Sequence, residues 1–163
     1  MYRIIKFCIN TNIFVACAAV SLYKVTEIIF CFQNHNIGLF VFFATLLAYN
    51  YMRINLLISD IANNSRANWL SLNKNILFYI IFISALFVLF YIYVLGLFFL
   101  KLIMPAILIS LFYPWSFKIS NHTYGIRNIP FLKIFLIAST WSYVTLLVPV
   151  LYHSIEINYL VLD

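Results

Sequence analysis

The residues best suited to binding chemistry lie where the second apolar run of the chain ends. The run that begins at Leu39 stops at Asn50, Arg53 and Asn55. A guanidinium group pairs with phosphate oxygens in a fork geometry, and amides can contact the same oxygens. These residues therefore predict a site for an anionic head group such as a diphosphate. The alternative is that Arg53 extends to the membrane interface while the asparagines cap the helix end.

Other residue types that carry chemistry are scattered along the chain. The histidines His35, His122 and His153 fall in different connecting segments, so a metal site built from them is not expected. The cysteines Cys8, Cys17 and Cys31 are far apart and form no CxxC pair, which argues against a zinc site and a disulfide framework. We expect them to be buried, unreactive thiols.

The composition identifies the environment that holds these residues. Hydrophobic residues make up 66% of the chain and charged residues 9%, against roughly 45–50% and about 25% in soluble domains. The apolar runs are long and continuous rather than alternating, which favours helices over a membrane β-barrel. The sequence thus predicts an all-α, polytopic membrane helix bundle. Its net charge of +6 is spread too thinly for a nucleic-acid-binding face.

Five spans are predicted within a single integral membrane domain, residues 1–163. They cover residues 7–23, 37–54, 76–93, 97–113 and 131–152. Between Ile76 and Phe117 the only charged residue is Lys101, and this stretch would be roughly 63 Å long as a helix, enough for two crossings. Gly96 lies at the expected turn between them, and Pro105 should kink the fourth span. A cleaved signal ending near residue 17 is the alternative to the first span.

The distribution of basic residues predicts the orientation. With five spans, eight of the ten Lys and Arg residues share one side of the membrane and only Lys24 and Lys101 lie on the other. Because cytoplasmic loops carry an excess of Lys and Arg, the amino terminus is predicted to be cytoplasmic and the carboxyl terminus outside. The expected location is a bacterial inner membrane. Lys24 also lies three residues before Glu27, so that the two share a helix face.

Three segments resemble the UbiA-type polyprenyl transferase superfamily, in particular the UbiA-like membrane proteins of Bacteroidetes-type bacteria. They are FATLLAYNYMRIN in the second span, FYPWSFK after the fourth, and GIRNIPFLKIFLIASTWSYVTLLVP through the fifth. The resemblance covers about residues 7–152. It implies helices around a lipid-filled cavity open to the cytoplasmic side, with two Asp-rich motifs that hold the magnesium diphosphate of a prenyl donor.

Residue by residue, the resemblance implies a substrate-binding set. Asn50 matches the Asn that opens the first motif, and Tyr113, Pro114 and Lys118 resemble a YPxxKR-like segment whose basic residues face the diphosphate. The chain departs from the family because residues 51–59 contain no carboxylate, and carboxylates are the usual magnesium ligands. No cofactor is therefore expected, although the family uses Mg²⁺, and Arg53 would contact a phosphate directly.

The predicted function follows from these departures. The resemblance covers only the N-terminal half of a nine-helix transferase, so we expect a truncated or split gene product, or a half-length relative that pairs with another half or with itself. The prediction is a catalytically incomplete UbiA-like protein that binds an isoprenoid or lipid head group. The alternative is a small accessory membrane subunit that packs against a partner. A transporter or channel is disfavoured because charges within the spans are almost absent.

Overall fold

The computed structural model describes residues 2–58, 69, 72–113, 116–119, 122–125 and 130–153. These residues form an all-α helical bundle with one short hairpin in a connecting segment, which confirms the predicted fold class. The first four helices are α1 (Tyr2–Asn10), α2 (Ile13–Ile29), α3 (His35–Ile58) and α4 (Lys74–Phe112). The hairpin is β1 (Ser116–Ile119) with β2 (His122–Gly125). Helix α5 (Pro130–Ser142) continues through a π-helical turn, Tyr143–Leu147, into a final helical segment, residues 148–153.

The first predicted span is two helices rather than one. Helices α1 and α2 meet at an angle of 72°, and the break falls on the polar residues Asn10, Thr11 and Asn12. Asn12 has a left-handed backbone with φ of 62°, a conformation that Asn tolerates better than most residues. Helix α2 then runs to Ile29, six residues beyond the predicted end at residue 23.

A polar cluster closes the turn between α2 and α3. Glu27 is buried, pairs with Lys24, and accepts a hydrogen bond of 2.8 Å from the backbone N–H of Asn34. The Asn34 side chain in turn accepts from the backbone N–H groups of Asn36 and Ile37, at 3.1 and 3.4 Å. Asn34 thereby caps α3, since the first N–H groups of a helix have no partner within the helix.

Helices α2 and α3 pack closely because α3 carries a glycine at the contact. A Cβ atom on Gly38 would lie 3.1 Å from Cε1 of Tyr23. The Tyr23 ring is fully buried, and its hydroxyl donates to the Asn34 carbonyl at 2.7 Å. Tyr23 is part of the apolar core, which also contains Ala19, Ile37, Phe40, Val41, Leu95, Phe99, Ile103 and Tyr152.

Helix α4 bends sharply at Gly96, where φ is 83° and ψ is 174°. The Phe43 ring of α3 stacks on Phe87 with centroids 4.3 Å apart, while the Phe40 ring lies 4.9 Å from that of Phe99. Phe40 and Phe43 are within one turn of each other, whereas a straight helix would separate Phe87 from Phe99 by roughly 18 Å. Both halves of α4 therefore pack against the same part of α3, and the break lies where the sequence predicted a turn.

The number of membrane crossings stays a prediction. By length and apolarity, three of the described helices can cross a membrane, or four if the bent pair α1 and α2 forms one span. Helix α4 is counted once among them, although its 39 residues would extend roughly 58 Å, about twice the thickness of a bilayer core. Pro105 lies inside the second half of α4, whereas the backbone departs from helical angles at Gly96. The kink at Pro105 stays a prediction.

The π-helical turn after α5 has a local cause. Pro149 lacks a backbone N–H, and in a regular α-helix its ring would collide with the carbonyl of Thr145. The chain widens instead, and the Val148 N–H donates to the Tyr143 carbonyl five residues earlier. The Tyr143 hydroxyl anchors the turn to α4 by donating to the Leu102 carbonyl at 2.6 Å.

Two of the three cysteines do not lie where the sequence analysis expected them. Cys17 and Cys31 are exposed and Cys8 is half-buried, whereas all three were predicted to be buried. Cys17 lies on the outer face of α2, where an apolar side chain such as a free thiol is stable against lipid as well as in the core. Cys31 lies in the turn between α2 and α3, where the chain leaves the packed helices.

Candidate functional site

A cavity of about 480 Å³ lies between α3, the second half of α4 and α5. Its volume falls within the roughly 300–1,000 Å³ of typical ligand pockets. Aliphatic and aromatic side chains form most of its wall, and Arg53 is the one charged residue among the described residues that line it. Such a cavity can enclose an apolar chain and hold a negative charge at one point of its surface.

Small side chains at helical spacing create the open space. Ala44 and Ala48 lie four residues apart on α3, and Ala106 and Ser110 have the same spacing on α4. Residues at this spacing share a helix face, so each pair forms a shallow strip along the wall. Small residues usually allow membrane helices to touch, but here these faces border the cavity.

Arg53 connects the cavity to the broken helix at the amino terminus. Its side chain is half-buried, and its Nη1 donates a hydrogen bond to the carbonyl of Asn10, the last residue of α1. The last carbonyls of a helix receive no hydrogen bond from within the helix, and a positive charge near them interacts favourably with the helix dipole. Arg53 therefore stabilises the end of α1 and is also one of the residues that line the cavity.

Asn50 lies on a different face of α3 from the cavity. It is fully buried and makes three hydrogen bonds. Its Oδ1 accepts from the Asn12 side chain at 3.0 Å, and its Nδ2 donates to the carbonyls of Thr11 and Leu46 at 3.0 and 2.8 Å. The amide thus ties the α1–α2 break to α3, a structural role that the sequence analysis did not foresee.

Of the remaining predicted site residues, Tyr113 lines the cavity. The others, Asn55, Pro114 and Lys118, have side chains that are outside the described part of the structure. Tyr113 is buried just after the end of α4 and lines the cavity together with Arg53. Lys118 lies on β1, but its side chain is outside the described residues, as are Pro114 and the side chain of Asn55. The structure therefore brings Arg53 and Tyr113 to one cavity and places Asn50 beside it.

Sequence reasoning missed an aromatic pair in the cavity wall. Tyr49 on α3 and Trp141 on α5 both line the cavity, and their rings meet edge to face with centroids 6.3 Å apart. The indole Nε1 of Trp141 donates to the Tyr49 hydroxyl oxygen at 3.1 Å. The sequence alone could not pair them, because Tyr and Trp are both common in membrane helices and these two residues are 92 positions apart. Tyr49 does lie four residues before Arg53, on the same face of α3, which is the one sequence signal that could have indicated it.

The described part of the chain contains no group of three His, Cys, Asp or Glu residues placed to hold a metal ion. The described residues that line the cavity offer hydroxyl groups, one indole and one guanidinium as their polar side-chain functions. These groups can donate hydrogen bonds and attract an anion. None of them is a carboxylate that could act as a general base.

Comparison with known proteins gives no match: no family model, no curated protein and no solved structure is similar to this chain.

Proposed function

We propose that this membrane protein binds an amphiphilic lipid whose chain occupies the cavity and whose anionic head group contacts Arg53. The lipid is an isoprenoid diphosphate or an anionic phospholipid, which share a phosphate next to a long apolar chain. The observation that carries the proposal is that Arg53 is the one charged residue among the described residues that line a mostly apolar cavity. A guanidinium in such surroundings favours a phosphate, because the low dielectric strengthens its hydrogen bonds.

The resemblance to UbiA-type transferases supports the isoprenoid form of this proposal. It implies a lipid cavity bordered by the end of the second span and by the Tyr113 region, and both Arg53 and Tyr113 line the cavity. The proposal is one of binding without prenyl transfer, because residues 51–59 contain no carboxylate to hold magnesium diphosphate. Incubation of the purified chain with magnesium, a prenyl diphosphate and an aromatic acceptor should give no product.

The head-group contact can be tested by removing the charge of Arg53. Arg53→Gln keeps a hydrogen-bond donor near Asn10 but has no positive charge. We expect it to weaken binding of a fluorescent prenyl diphosphate to the detergent-solubilised protein by roughly ten- to a hundredfold, the range for a hydrogen bond to a charged group. The matched control is Lys101→Gln, since Lys101 is exposed and does not line the cavity. Equal, small losses for both variants would contradict the proposal and leave only nonspecific attraction.

The cavity itself can be tested by filling it. Ala48 lines the cavity, so Ala48→Phe should abolish binding of the prenyl diphosphate. Ala138→Phe is the control, because Ala138 is an exposed residue of α5 that does not line the cavity.

Competition by inorganic pyrophosphate separates the contribution of the prenyl chain to binding from that of the head group. If pyrophosphate competes as well as the prenyl compound, the cavity does not hold the prenyl chain and the isoprenoid form of the proposal fails.

The accessory-subunit alternative makes the opposite prediction for these variants. The first half of α4 exposes a row of large apolar side chains, including Phe78, Phe82, Leu86 and Phe90, that either lipid or a partner helix could cover. A protein that only packs against a partner would tolerate Ala48→Phe, since its outer surface is unchanged.

A further inference from the structure

The Tyr49–Trp141 pair leaves a hydroxyl proton without an acceptor in the cavity wall. An indole N–H can only donate, so the hydrogen bond from Trp141 fixes Tyr49 Oη as its acceptor. The proton of the Tyr49 hydroxyl must then point to another group. Among the described residues no acceptor lies within hydrogen-bond distance of it. A phenol proton in apolar surroundings is unfavourable unless something accepts it.

Several other hydroxyls around the bundle donate to backbone carbonyls. Tyr23, Tyr143 and Tyr152 donate to the carbonyls of Asn34, Leu102 and Leu95, at 2.7, 2.6 and 3.1 Å. The cavity-lining hydroxyls of Thr140 and Thr145 donate to carbonyls of their own helix, at 2.7 and 2.8 Å. The Tyr49 hydroxyl differs from these five groups because it accepts a hydrogen bond from Trp141 and donates none to a described residue. Tyr49 itself lines the cavity, so a bound ligand can supply the acceptor.

The position of this donor relative to Arg53 restricts the chemistry of the ligand. Tyr49 and Arg53 are four residues apart on the cavity face of α3, which separates them by roughly 6 Å along the helix axis. A lipid that fits both groups carries an anionic group at Arg53 and a hydrogen-bond acceptor about one helical turn away. A prenyl diphosphate has no oxygen beyond its diphosphate. A diacyl glycerophospholipid has ester carbonyls separated from its phosphate by a short glycerol linker.

We propose that the ligand is an anionic diacyl glycerophospholipid whose ester carbonyl accepts a hydrogen bond from the Tyr49 hydroxyl. This rests on the proposed function and selects one of its two lipid classes. Trp141 is a positioning residue, because it orients the Tyr49 hydroxyl and does not itself reach the ester. Ester recognition would let the cavity distinguish acyl lipids from isoprenoids that share a phosphate.

The experiment compares two lipids that differ only in the linkage. Fluorescent phosphatidylglycerol is displaced from the detergent-solubilised protein by unlabelled dioleoyl phosphatidylglycerol or by its dialkyl ether analogue, which lacks the carbonyls. We expect the wild-type chain to bind the ester form about three- to tenfold more tightly, the range for a neutral hydrogen bond. Tyr49→Phe should lower the affinity for the ester form to that for the ether and leave the ether affinity unchanged. Tyr79→Phe is the control, since Tyr79 is exposed on α4.

The possible outcomes separate this inference from the proposed function. Equal affinity of the wild-type chain for ester and ether lipids would overturn the inference, as would an equal loss of both in Tyr49→Phe, which indicates a purely structural role. Tighter binding of prenyl diphosphate than of either phospholipid would also overturn it and leave the proposed function standing. If Ala48→Phe leaves the binding of every lipid unchanged, the proposed function itself fails.

Discussion

Asn50 shows how one buried amide can determine the local geometry of a membrane bundle. Its three hydrogen bonds join α3 to Thr11 and Asn12, the residues at which the α1–α2 path turns by 72°. Polar groups at such a break have no water to bond with when they lie among apolar side chains, so each needs a partner from a neighbouring helix. Asn50 supplies both a donor and an acceptor. The bent amino-terminal path therefore depends on a residue 38 positions away in the sequence.

Replacing this amide should destabilise the protein without touching the cavity. Asn50→Leu leaves the Asn12 side chain without its acceptor and the Thr11 carbonyl without its donor, which should lower the free energy of unfolding by about 2 kcal/mol or more. The measurement is thermal unfolding in detergent, with Asn36→Leu as the control because Asn36 is exposed at the start of α3. Equal melting temperatures for the two variants would show that the Asn50 hydrogen bonds add no stability.

At the scale of helices, Gly96 is the position on which the packing of α4 depends. Its backbone angles, φ 83° and ψ 174°, lie in a region that essentially only glycine adopts. A Cβ there would meet no atom within 4 Å, so any cost of substitution is backbone strain rather than a clash. Because both halves of α4 contact α3 through Phe87 and Phe99, straightening the helix would break one of these contacts.

Gly96→Ala should therefore lower stability by about 1–3 kcal/mol, the cost of holding a residue with a side chain in this conformation. Thermal unfolding in detergent measures the change, and the near-ultraviolet circular dichroism of the packed aromatic residues reports whether the bend persists. Val94→Ala serves as the control, since Val94 is 46% exposed two residues before the bend. A loss no larger than that of the control would mean that the bend tolerates a side chain.

The sequence predicted those helical features that depend on local composition. The apolar runs indicated a membrane bundle, and a single glycine within the 39-residue α4 indicated the position of its break. The path of α1 and α2 could not be predicted, because the Asn12 side chain and the carbonyls of Asn10 and Thr11 find their partners on α3. The short hairpin was also missed, because each of its strands has only four residues, too few for an alternating pattern to stand out from the surrounding connecting segment.

In the candidate site too, residue type could be read from the sequence, whereas contacts between helices could not. Arg53 and Tyr113 were identified from residue type and from a family resemblance, and both line the cavity. Asn50 belonged to the same predicted group, but its side chain bonds to Thr11 and Asn12 at the α1–α2 break. The sequence could not indicate these partners, because they come from another part of the chain. The Tyr49–Trp141 hydrogen bond joins separate helices, so only the folded chain reveals it.

At the scale of the whole molecule, the arrangement in the membrane depends on how α4 is placed. The bend at Gly96 and the shared contacts with α3 fit a helix that enters the membrane, turns near one surface and returns. Lys101, five residues after the bend, is exposed and long enough to reach a membrane surface from there. If α4 crossed only once, the basic residues after it would move to the opposite side, and the excess of Lys and Arg on one side would largely disappear.

A reporter fusion tests this arrangement directly. Five crossings from a cytoplasmic amino terminus place Asp163, which lies outside the described residues, on the outer side of the membrane. A phosphatase that is active only outside the cytoplasm should therefore be active when fused after Asp163, and a fluorescent protein that matures only in the cytoplasm should stay dark there. The same pair fused after Asn73, between α3 and α4, should give the reverse result. Cytoplasmic signals at both positions would require an even number of crossings after Asn73. Since α5 supplies one crossing, α4 would then cross the membrane once.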